Sequence, residues 1–184
     1  MIYFISDTHF GHENVIRMCE RPFKTIEEMN TALIENWNRR VKGNDTVYIL
    51  GDLFFRCADP EPILRQLKGR KHLIVGNHDG SWMQRVSVED YFTGVSTLLE
   101  TTDGHRGLTL CHYPLLSWRH QRRSYMIHGH IHGNTDMDFW QLLCARDREL
   151  NAGVDVNGFR PVTFDELMEN NIRWKREHAA PADG

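Results

Sequence analysis

Acidic, amide and imidazole side chains occur in this chain in short clusters, each at the end of an apolar segment. The clusters are Asp7 with His9, then Asp52, the run Asn77–Asp79, His112, and the run His128–His132. Carboxylate, amide and imidazole groups without thiolates suit Mn²⁺, Fe, Zn²⁺ or Co²⁺ better than Ca²⁺ or a cysteine-rich structural zinc site. Histidine is also abundant, at 11 of 184 residues. This pattern predicts metal chemistry.

The candidate ligands are too numerous for a single tetrahedral ion. Two ions that share a bridging carboxylate would use them economically. Pairs of ions about 3.5–4 Å apart are a common arrangement in enzymes that hydrolyse phosphoesters. We therefore predict a site with two metal ions.

The clusters follow segments that we predict to be strands. Buried strands are expected at Ile2–Ser6, Thr46–Leu50 and His72–Val75, which are apolar or β-branched runs stopped by polar residues or glycine. Helices are expected at Thr25–Val41, with Thr25 and Glu28 in capping-box spacing, and at Asp59–Lys68, with Asp59 as its cap. Alternating strands and helices are typical of α/β sheets, which bind ligands at the carboxyl ends of their strands.

The second half of the chain has a different pattern. Val95–Thr101 and Gly107–His112 are predicted to form an antiparallel hairpin around Asp103 and Gly104. Further strands are expected at Ser124–His128 and Glu149–Ala152, and a closing helix at Thr163–Glu177, where Thr163 and Glu166 again have capping-box spacing. The sequence thus predicts an α/β domain with a mixed sheet or two sheets.

Composition limits the cellular setting and the partners. The length favours one domain, residues 1–178, followed by a flexible tail at Ala179–Gly184. The net charge of −3 disfavours long nucleic acid and membrane surfaces as partners. The four cysteines are widely spaced, the first residues resemble no signal peptide, and no apolar run could span a bilayer. We expect a cytoplasmic protein with reduced thiols. Nothing in the sequence indicates an oligomeric state.

The five clusters of polar residues, taken in order along the chain, resemble the signature blocks of the calcineurin-like metallophosphoesterases. They are Asp7-Thr8-His9, Gly51-Asp52, Gly76-Asn77-His78-Asp79, His112 and Gly129-His130-Ile131-His132. The resemblance runs from Asp7 to His132 and extends weakly to Asn151–Asp155. It implies a four-layer α/β/β/α sandwich with two mixed sheets.

The resemblance also implies a role for each matched residue. Asp7, His9 and His132 would hold the first metal, Asn77, His112 and His130 the second, and Asp52 would bridge the two. His78 resembles the family's catalytic histidine, which is not a ligand and contacts the phosphate. The cofactors would be two divalent ions, with Mn²⁺ favoured and Fe, Zn²⁺ or Co²⁺ as alternatives.

The activity implied is metal-dependent hydrolysis of a phosphate ester. A hydroxide bridging the metals would attack phosphorus in line, and the substrate would be a small molecule or a nucleotide. By analogy with other small members of the family, phosphodiesters are favoured over monoesters. A nuclease of the same superfamily is an alternative, because Gly51–Phe54 resembles that branch, although the chain lacks room for a DNA-capping domain. A non-catalytic scaffold with this fold is disfavoured, because no motif residue is missing.

Several residues near the motifs have roles that the spacing of the motifs does not fix. His12 could contact substrate or serve in a turn, and His128 could support the ligands or be an ordinary buried histidine. Asp79 is expected to orient its neighbours through hydrogen bonds. Arg119, at the start of a basic run that ends at Arg123, could bind phosphate or lie in a solvated loop. The segment Phe139–Leu143 could be a core helix, an apolar lid or a dimer surface.

Overall fold

The first of two sheets is entirely parallel. In the computed structural model, which describes residues 1–179, it contains β1 (Ile2–Ile5), β2 (Thr46–Ile49), β3 (Arg70–Ile74) and β4 (Phe92–Ser96) in that spatial order. The connections contain α1 (Glu13–Met18), α2 (Ile26–Arg40), α3 (Glu61–Leu64), α4 (Gly80–Met83) and a 3₁₀ turn at Val88–Asp90. Because these connections return the chain to the same end of the sheet, the carboxyl ends of all four strands share one edge.

The second sheet is mixed. It contains β5 (Leu98–Thr102), β6 (Gly107–Cys111), β7 (Ser124–His128) and β8 (Glu149–Asn151), in that order. The β5–β6 pair is antiparallel and the other two pairs are parallel. Helix α5 (Trp140–Cys144) precedes β8, and α6 (Phe164–Glu177) follows it. The predicted α/β class with two sheets is confirmed, with the correction that the first sheet is parallel and only the second is mixed.

Neighbouring residues of β1 face different hydrophobic cores. Ile5 packs in the cluster that contains Met29, Leu33 and Trp37 of α2, together with Val47 and Leu73. Phe4 packs in a second cluster with Leu108, Leu110, Ile127 and Leu150 of the other sheet. This alternation follows from the two-residue period of a strand. The first sheet is therefore buried on both faces, by α2 on one side and by the second sheet on the other.

Two predicted helices and one predicted hairpin are present. Thr25 caps α2 by accepting a hydrogen bond from the backbone N–H of Glu28 at 3.2 Å. Thr163 caps α6, and the Glu166 carboxylate accepts the Thr163 N–H at 2.9 Å to complete the capping box. Helix α6 contacts both β1 and β8, which are edge strands of the two sheets. The hairpin joins β5 and β6 across residues 103–106.

The helix predicted at Asp59–Lys68 is much shorter than expected. Helix α3 covers only Glu61–Leu64, and its N-cap is Pro60. The Gln66 side chain donates to the Pro62 carbonyl at 2.8 Å, and the Gln66 backbone N–H bonds to Ile63 instead. The helical hydrogen-bond pattern therefore tightens and ends before the chain turns into β3.

The segment predicted as one strand at Val95–Thr101 is divided between the two sheets. Residues up to Ser96 belong to β4 and pair with β3, whereas Leu98 begins β5 and pairs with β6. No glycine or proline marks the crossing at Thr97. Local sequence could not reveal it, because the extended chain only exchanges one hydrogen-bonding partner for another.

Three further predictions concern the C-terminal tail, the cysteine thiols and membrane-spanning segments. The tail was predicted at Ala179–Gly184, and residues 180–184 lie outside the described residues. All four cysteines are free thiols. Within residues 1–179, no helix is long and apolar enough to cross a membrane.

The capping box of α6 yields a stability prediction. Thr163→Ala should lower the free energy of unfolding by about 1 kcal/mol, because the backbone N–H of Glu166 loses its acceptor. Thr163→Ser keeps a hydroxyl and should retain most of the stability. Urea unfolding of the wild type and both variants measures this. Equal destabilisation by alanine and serine would show that the methyl group, not the cap, matters.

Candidate metal centre

The loops that carry the motifs meet at the carboxyl ends of β1, β2, β3, β6 and β7. Backbone hydrogen bonds join the first two: the Asp7 N–H donates to Gly51 at 3.1 Å, and the His9 N–H donates to Asp52 at 3.0 Å. Five of the seven predicted ligands have a left-handed backbone, with φ between 51° and 72°: Asp7, His9, Asp52, His130 and His132. Residues other than glycine adopt this conformation rarely, and it clusters at functional sites.

One group of predicted ligands lies beside the end of β1. Asp7, His9 and His132 each offer a ligand atom within 4.8 Å of the others. The rings of His9 and His132 are stacked, with centroids 5.0 Å apart. His9 is buried, yet neither of its ring nitrogens has a hydrogen-bond partner among residues 1–179. Such an unpaired polar group is costly inside a protein, and a cation held with Asp7 and His132 would satisfy one of the two nitrogens.

Asp52 lies between this group and the next. Its Oδ2 is 3.6 Å from His9 Nε2 and 3.5 Å from His112 Nε2. Asp7, Asp52 and His112 also form a group of potential ligand atoms within 4.8 Å of one another. The other carboxylate oxygen of Asp52, Oδ1, accepts the His78 N–H at 2.9 Å. One carboxylate thus faces ligands on both sides, as a bridging group must.

The remaining predicted ligands converge on the amide oxygen of Asn77. Asn77 Oδ1 is 2.9 Å from His112 Nε2 and 3.0 Å from His130 Nδ1. His112 Nδ1 lies 2.7 Å from the Leu50 carbonyl, to which it donates, so a neutral His112 presents a lone pair at Nε2. A lone pair facing an amide oxygen is satisfied by a cation that binds both. The donor chemistry therefore fits a second ion.

A buried carboxylate supports the bridging residue from behind. Asp79 is fully buried and accepts four hydrogen bonds of 2.7–3.0 Å, from the backbone N–H groups of Asp52, Leu53 and Gly76 and from the indole of Trp82. These bonds tie the loop after β2 to the loop after β3. Asp79 has no exposed surface, and its hydrogen bonds fit the predicted role of orienting its neighbours.

Arg21 and Asp155 also support the site, and sequence reasoning did not single them out. Arg21 donates to both carboxylate oxygens of Asp155, at 2.8 and 3.0 Å, and to the backbone carbonyls of Asp7 and Thr8. Asp155 Oδ2 in turn lies 2.9 Å from His132 Nδ1. A carboxylate that holds the far nitrogen of a ligating histidine is common at metal sites. Only the weak resemblance at Asn151–Asp155 pointed towards Asp155, and no prediction included Arg21.

The charges of this buried cluster are strongly coupled. Burial raises the pKa of Asp7 to about 6, against the opposing effect of His132 and His112. Burial alone would lower the pKa of His132, but its hydrogen bonds to Asp155 and Cys19 and the charge of Asp7 raise it to about 10. Burial, together with the charges of His132 and Arg21, depresses the pKa of His9 far below its usual value.

Small residues allow the loops to approach one another. A Cβ atom on Gly129 would collide with the Ser6 hydroxyl and lie 2.5 Å from Asp7 Oδ2. A Cβ on Gly76 would collide with the Asp52 carboxylate. The glycines of these two motifs therefore leave room for the carboxylates of Asp7 and Asp52.

His78 and His12 lie on the solvent side of the predicted ligands. The His78 side chain is 38% exposed, and its Nε2 is 3.9 Å from Asp52 Oδ2. The rings of His78 and His12 both contact Phe55, with centroids 4.5 and 4.2 Å from its own. Burial lowers the pKa of His12 to about 4. Both histidines line a cleft of about 850 Å³ that extends to Met18, Asn134 and Met137.

Two other predicted residues lie away from this cleft. His128 is fully buried, with Nδ1 2.9 Å from the Gly129 carbonyl, and burial lowers its pKa to about 4. Arg119 is exposed and pairs with Glu100 of β5 at 3.0 Å. It contacts none of the predicted ligands within the described residues, so the structure favours the solvated-loop interpretation of this arginine.

Comparison with known proteins places the chain in a family. Residues 1–181 match the calcineurin-like phosphoesterase family. An uncharacterized protein of Methanocaldococcus jannaschii, MJ1445, is 35% identical over 171 residues, which cover 91% of this chain and 89% of that protein. The gene 66 protein of Mycobacterium phage L5 is 29% identical, over 91% of this chain and 92% of its own length.

A solved structure has a similar fold. The Aquifex aeolicus protein AQ665, described as a protein of unknown function, superposes with a TM-score of 0.72 at 28% identity. The match covers 92% of this chain and 98% of that one. The family match, together with two four-stranded sheets and a cluster of carboxylate and imidazole groups at their strand ends, shows that the chain belongs to the calcineurin-like phosphoesterase family of metal-dependent phosphoester hydrolases.

Proposed function

We propose that this chain is a phosphodiesterase that works with two divalent ions, Mn²⁺ being favoured. The position of Asp52 is the observation that carries the proposal. Its carboxylate lies within 3.6 Å of histidine nitrogens from both groups of predicted ligands. A shared carboxylate is what a pair of closely spaced ions requires.

The remaining predicted ligands divide into two sets around Asp52. Asp7, His9 and His132 would hold one ion, and Asn77, His112 and His130 the other. When bound, the ions supply positive charge to the phosphoryl oxygens and lower the pKa of a water molecule that serves as nucleophile. Asp7 and Asp52 are the only carboxylates among the seven, so the protein does not cancel the positive charge that a phosphate needs.

His78 is the residue we assign to proton transfer. Its ring is partly exposed at the cleft, while its backbone N–H is anchored on Asp52. Its ring packs against that of Phe55 at an interplanar angle of 76°, which restricts its orientation. From this position Nε2 would donate a proton to the oxygen of the leaving group, or a hydrogen bond to the phosphoryl group.

The shape of the cleft supports a diester. At about 850 Å³ it continues well beyond the predicted ligands, as far as Met18 and Asn134. A phosphate with substituents on two oxygens needs space on both sides of phosphorus. We therefore favour diesters over monoesters.

Loss of the shared carboxylate should abolish activity. Asp52→Asn should reduce hydrolysis of bis(p-nitrophenyl) phosphate in Mn²⁺ by more than about 100-fold, which exceeds the usual cost of losing a residue that only supports a ligand. Metal content, measured by mass spectrometry, should fall as well. Asp147→Asn, at an exposed acid on the surface, is the matched control. A variant with full activity and full metal content would contradict the bridging role.

Loss of His78 should affect chemistry without affecting metal content. His78→Ala should slow hydrolysis by about 10²–10⁴-fold, the range for a general acid. The loss should be larger for an alkyl leaving group than for p-nitrophenol, because a good leaving group needs less protonation. His105→Ala, at an exposed histidine, should have no effect. Equal losses with both leaving groups would argue against proton donation.

Removal of the metal should affect both activity and stability. A chelator should eliminate hydrolysis and lower the melting temperature, because ions that bind only the folded protein stabilise it. Mn²⁺ should restore both properties. Titrating Mn²⁺, Zn²⁺, Co²⁺ and Fe²⁺ into the metal-free protein would rank the candidates. Unchanged hydrolysis by protein shown to be metal-free would overturn the proposal.

A further inference from the structure

A second, smaller cleft adjoins the predicted metal centre. It has a volume of about 420 Å³ and is lined mainly by Tyr113, Leu116, His130, Phe139, Leu142 and Leu143. We call it the His130 cleft. His130 and Phe139 also line the larger cleft, so these two side chains separate the two spaces.

The side chains around the His130 cleft are unusually apolar for a surface. Leu116 is 72% exposed, and Tyr113, Leu142 and Phe139 are 45%, 45% and 42% exposed. They account for four of the nine large apolar side chains that are exposed in the described part of the chain. A concentration of exposed apolar groups in a concave space marks a binding site more often than it serves folding.

The cleft offers almost no charge to a ligand. Its carboxylate, Glu149, is buried and accepts a hydrogen bond from Arg146 at 3.0 Å. Among the residues that the structure describes, no lysine or arginine lines it. A ligand with charges or with several hydrogen-bonding groups would lose its contacts with water and gain few in return.

The cleft begins at the residues predicted to hold the second ion. The Tyr113 ring lies 4.7 Å from the His130 ring and 5.1 Å from the His112 ring. A phosphate held by these histidines would therefore lie at the mouth of the cleft, and one of its substituents would enter.

We propose that the His130 cleft binds an uncharged aromatic substituent of the substrate, through a ring with few hydrogen-bonding groups. The rings of Tyr113 and Phe139 offer faces and edges suited to another ring. A nucleobase fits this lining less well, because its polar edges would lose their hydrogen bonds with water. This inference rests on the proposed phosphodiesterase function and specifies its substrate class.

Direct binding of two small phosphonates tests the proposal. Phenylphosphonate and methylphosphonate share the same anionic group and differ only in the ring. Binding to the Mn²⁺-loaded protein is measured by isothermal titration calorimetry. We expect phenylphosphonate to bind about tenfold more tightly, because burial of the ring removes apolar surface from water.

Variants at the rim identify the place where the ring binds. Leu116→Asp and Leu142→Asp each introduce a carboxylate at an exposed rim position, so the fold should tolerate them. Both should remove the preference for phenylphosphonate and leave the affinity for methylphosphonate and the metal content nearly unchanged. Leu98→Asp, at a leucine of β5 that is 47% exposed and lines neither cleft, is the matched control and should keep the preference.

The outcomes separate this inference from the function on which it rests. If neither phosphonate binds and bis(p-nitrophenyl) phosphate is not hydrolysed, the proposed function fails. If both phosphonates bind equally, or if the preference survives both rim variants, only the assignment of the His130 cleft fails. Tighter binding of a nucleoside 5′-phosphonate than of phenylphosphonate, lost in the rim variants, would overturn the choice of a ring with few polar groups.

Discussion

The buried carboxylate of Asp79 joins the two loops on which the predicted metal centre depends. It accepts hydrogen bonds from the backbone after β2, from the backbone after β3 and from the Trp82 indole. Asp52 lies on the first of these loops and Asn77 on the second. A shift in either loop would separate the Asp52 carboxylate from the amide oxygen of Asn77. One buried acid therefore sets the distance between groups that are far apart in the chain.

A similar arrangement holds the opposite side of the site. The guanidinium of Arg21 binds Asp155 and two backbone carbonyls of the loop after β1, and Asp155 holds His132. The buried positive charge of Arg21 offsets the carboxylate that orients His132. Asp79 and Asp155 are thus held by backbone, indole and guanidinium groups, whereas Asp7 and Asp52 are the acids that we propose as metal ligands.

The same end of the molecule combines strong polarity with exposed apolar surface. The larger cleft combines histidines and an asparagine with Met18 and Met137, whereas the His130 cleft is lined mainly by leucines and aromatic rings. Helix α5 contributes to both the interior and this surface, because Trp140 and Leu143 are buried while Leu142 points outward. The segment Phe139–Leu143 is therefore part of a small core and also part of a cleft wall. Of the three interpretations that the sequence left open, the core helix describes Trp140 and Leu143, whereas the cleft wall was not predicted.

Local spacing was enough to predict much of this protein. Two kinds of sequence signal extend over only a few residues: a strand that ends in a polar motif, and a threonine followed three residues later by glutamate. These signals were enough to recognise β1 to β3, α2 and α6. The assignment of β4 and β5 to different sheets, the pairing of Arg21 with Asp155 across 134 residues, and the cleft beside His130 were decided by tertiary structure. The sequence of an extended segment does not specify which strand it will pair with, and the sequence around a buried charge does not specify which opposite charge it will bind. Those partners are chosen by the packing of the two sheets, which no short stretch of sequence contains.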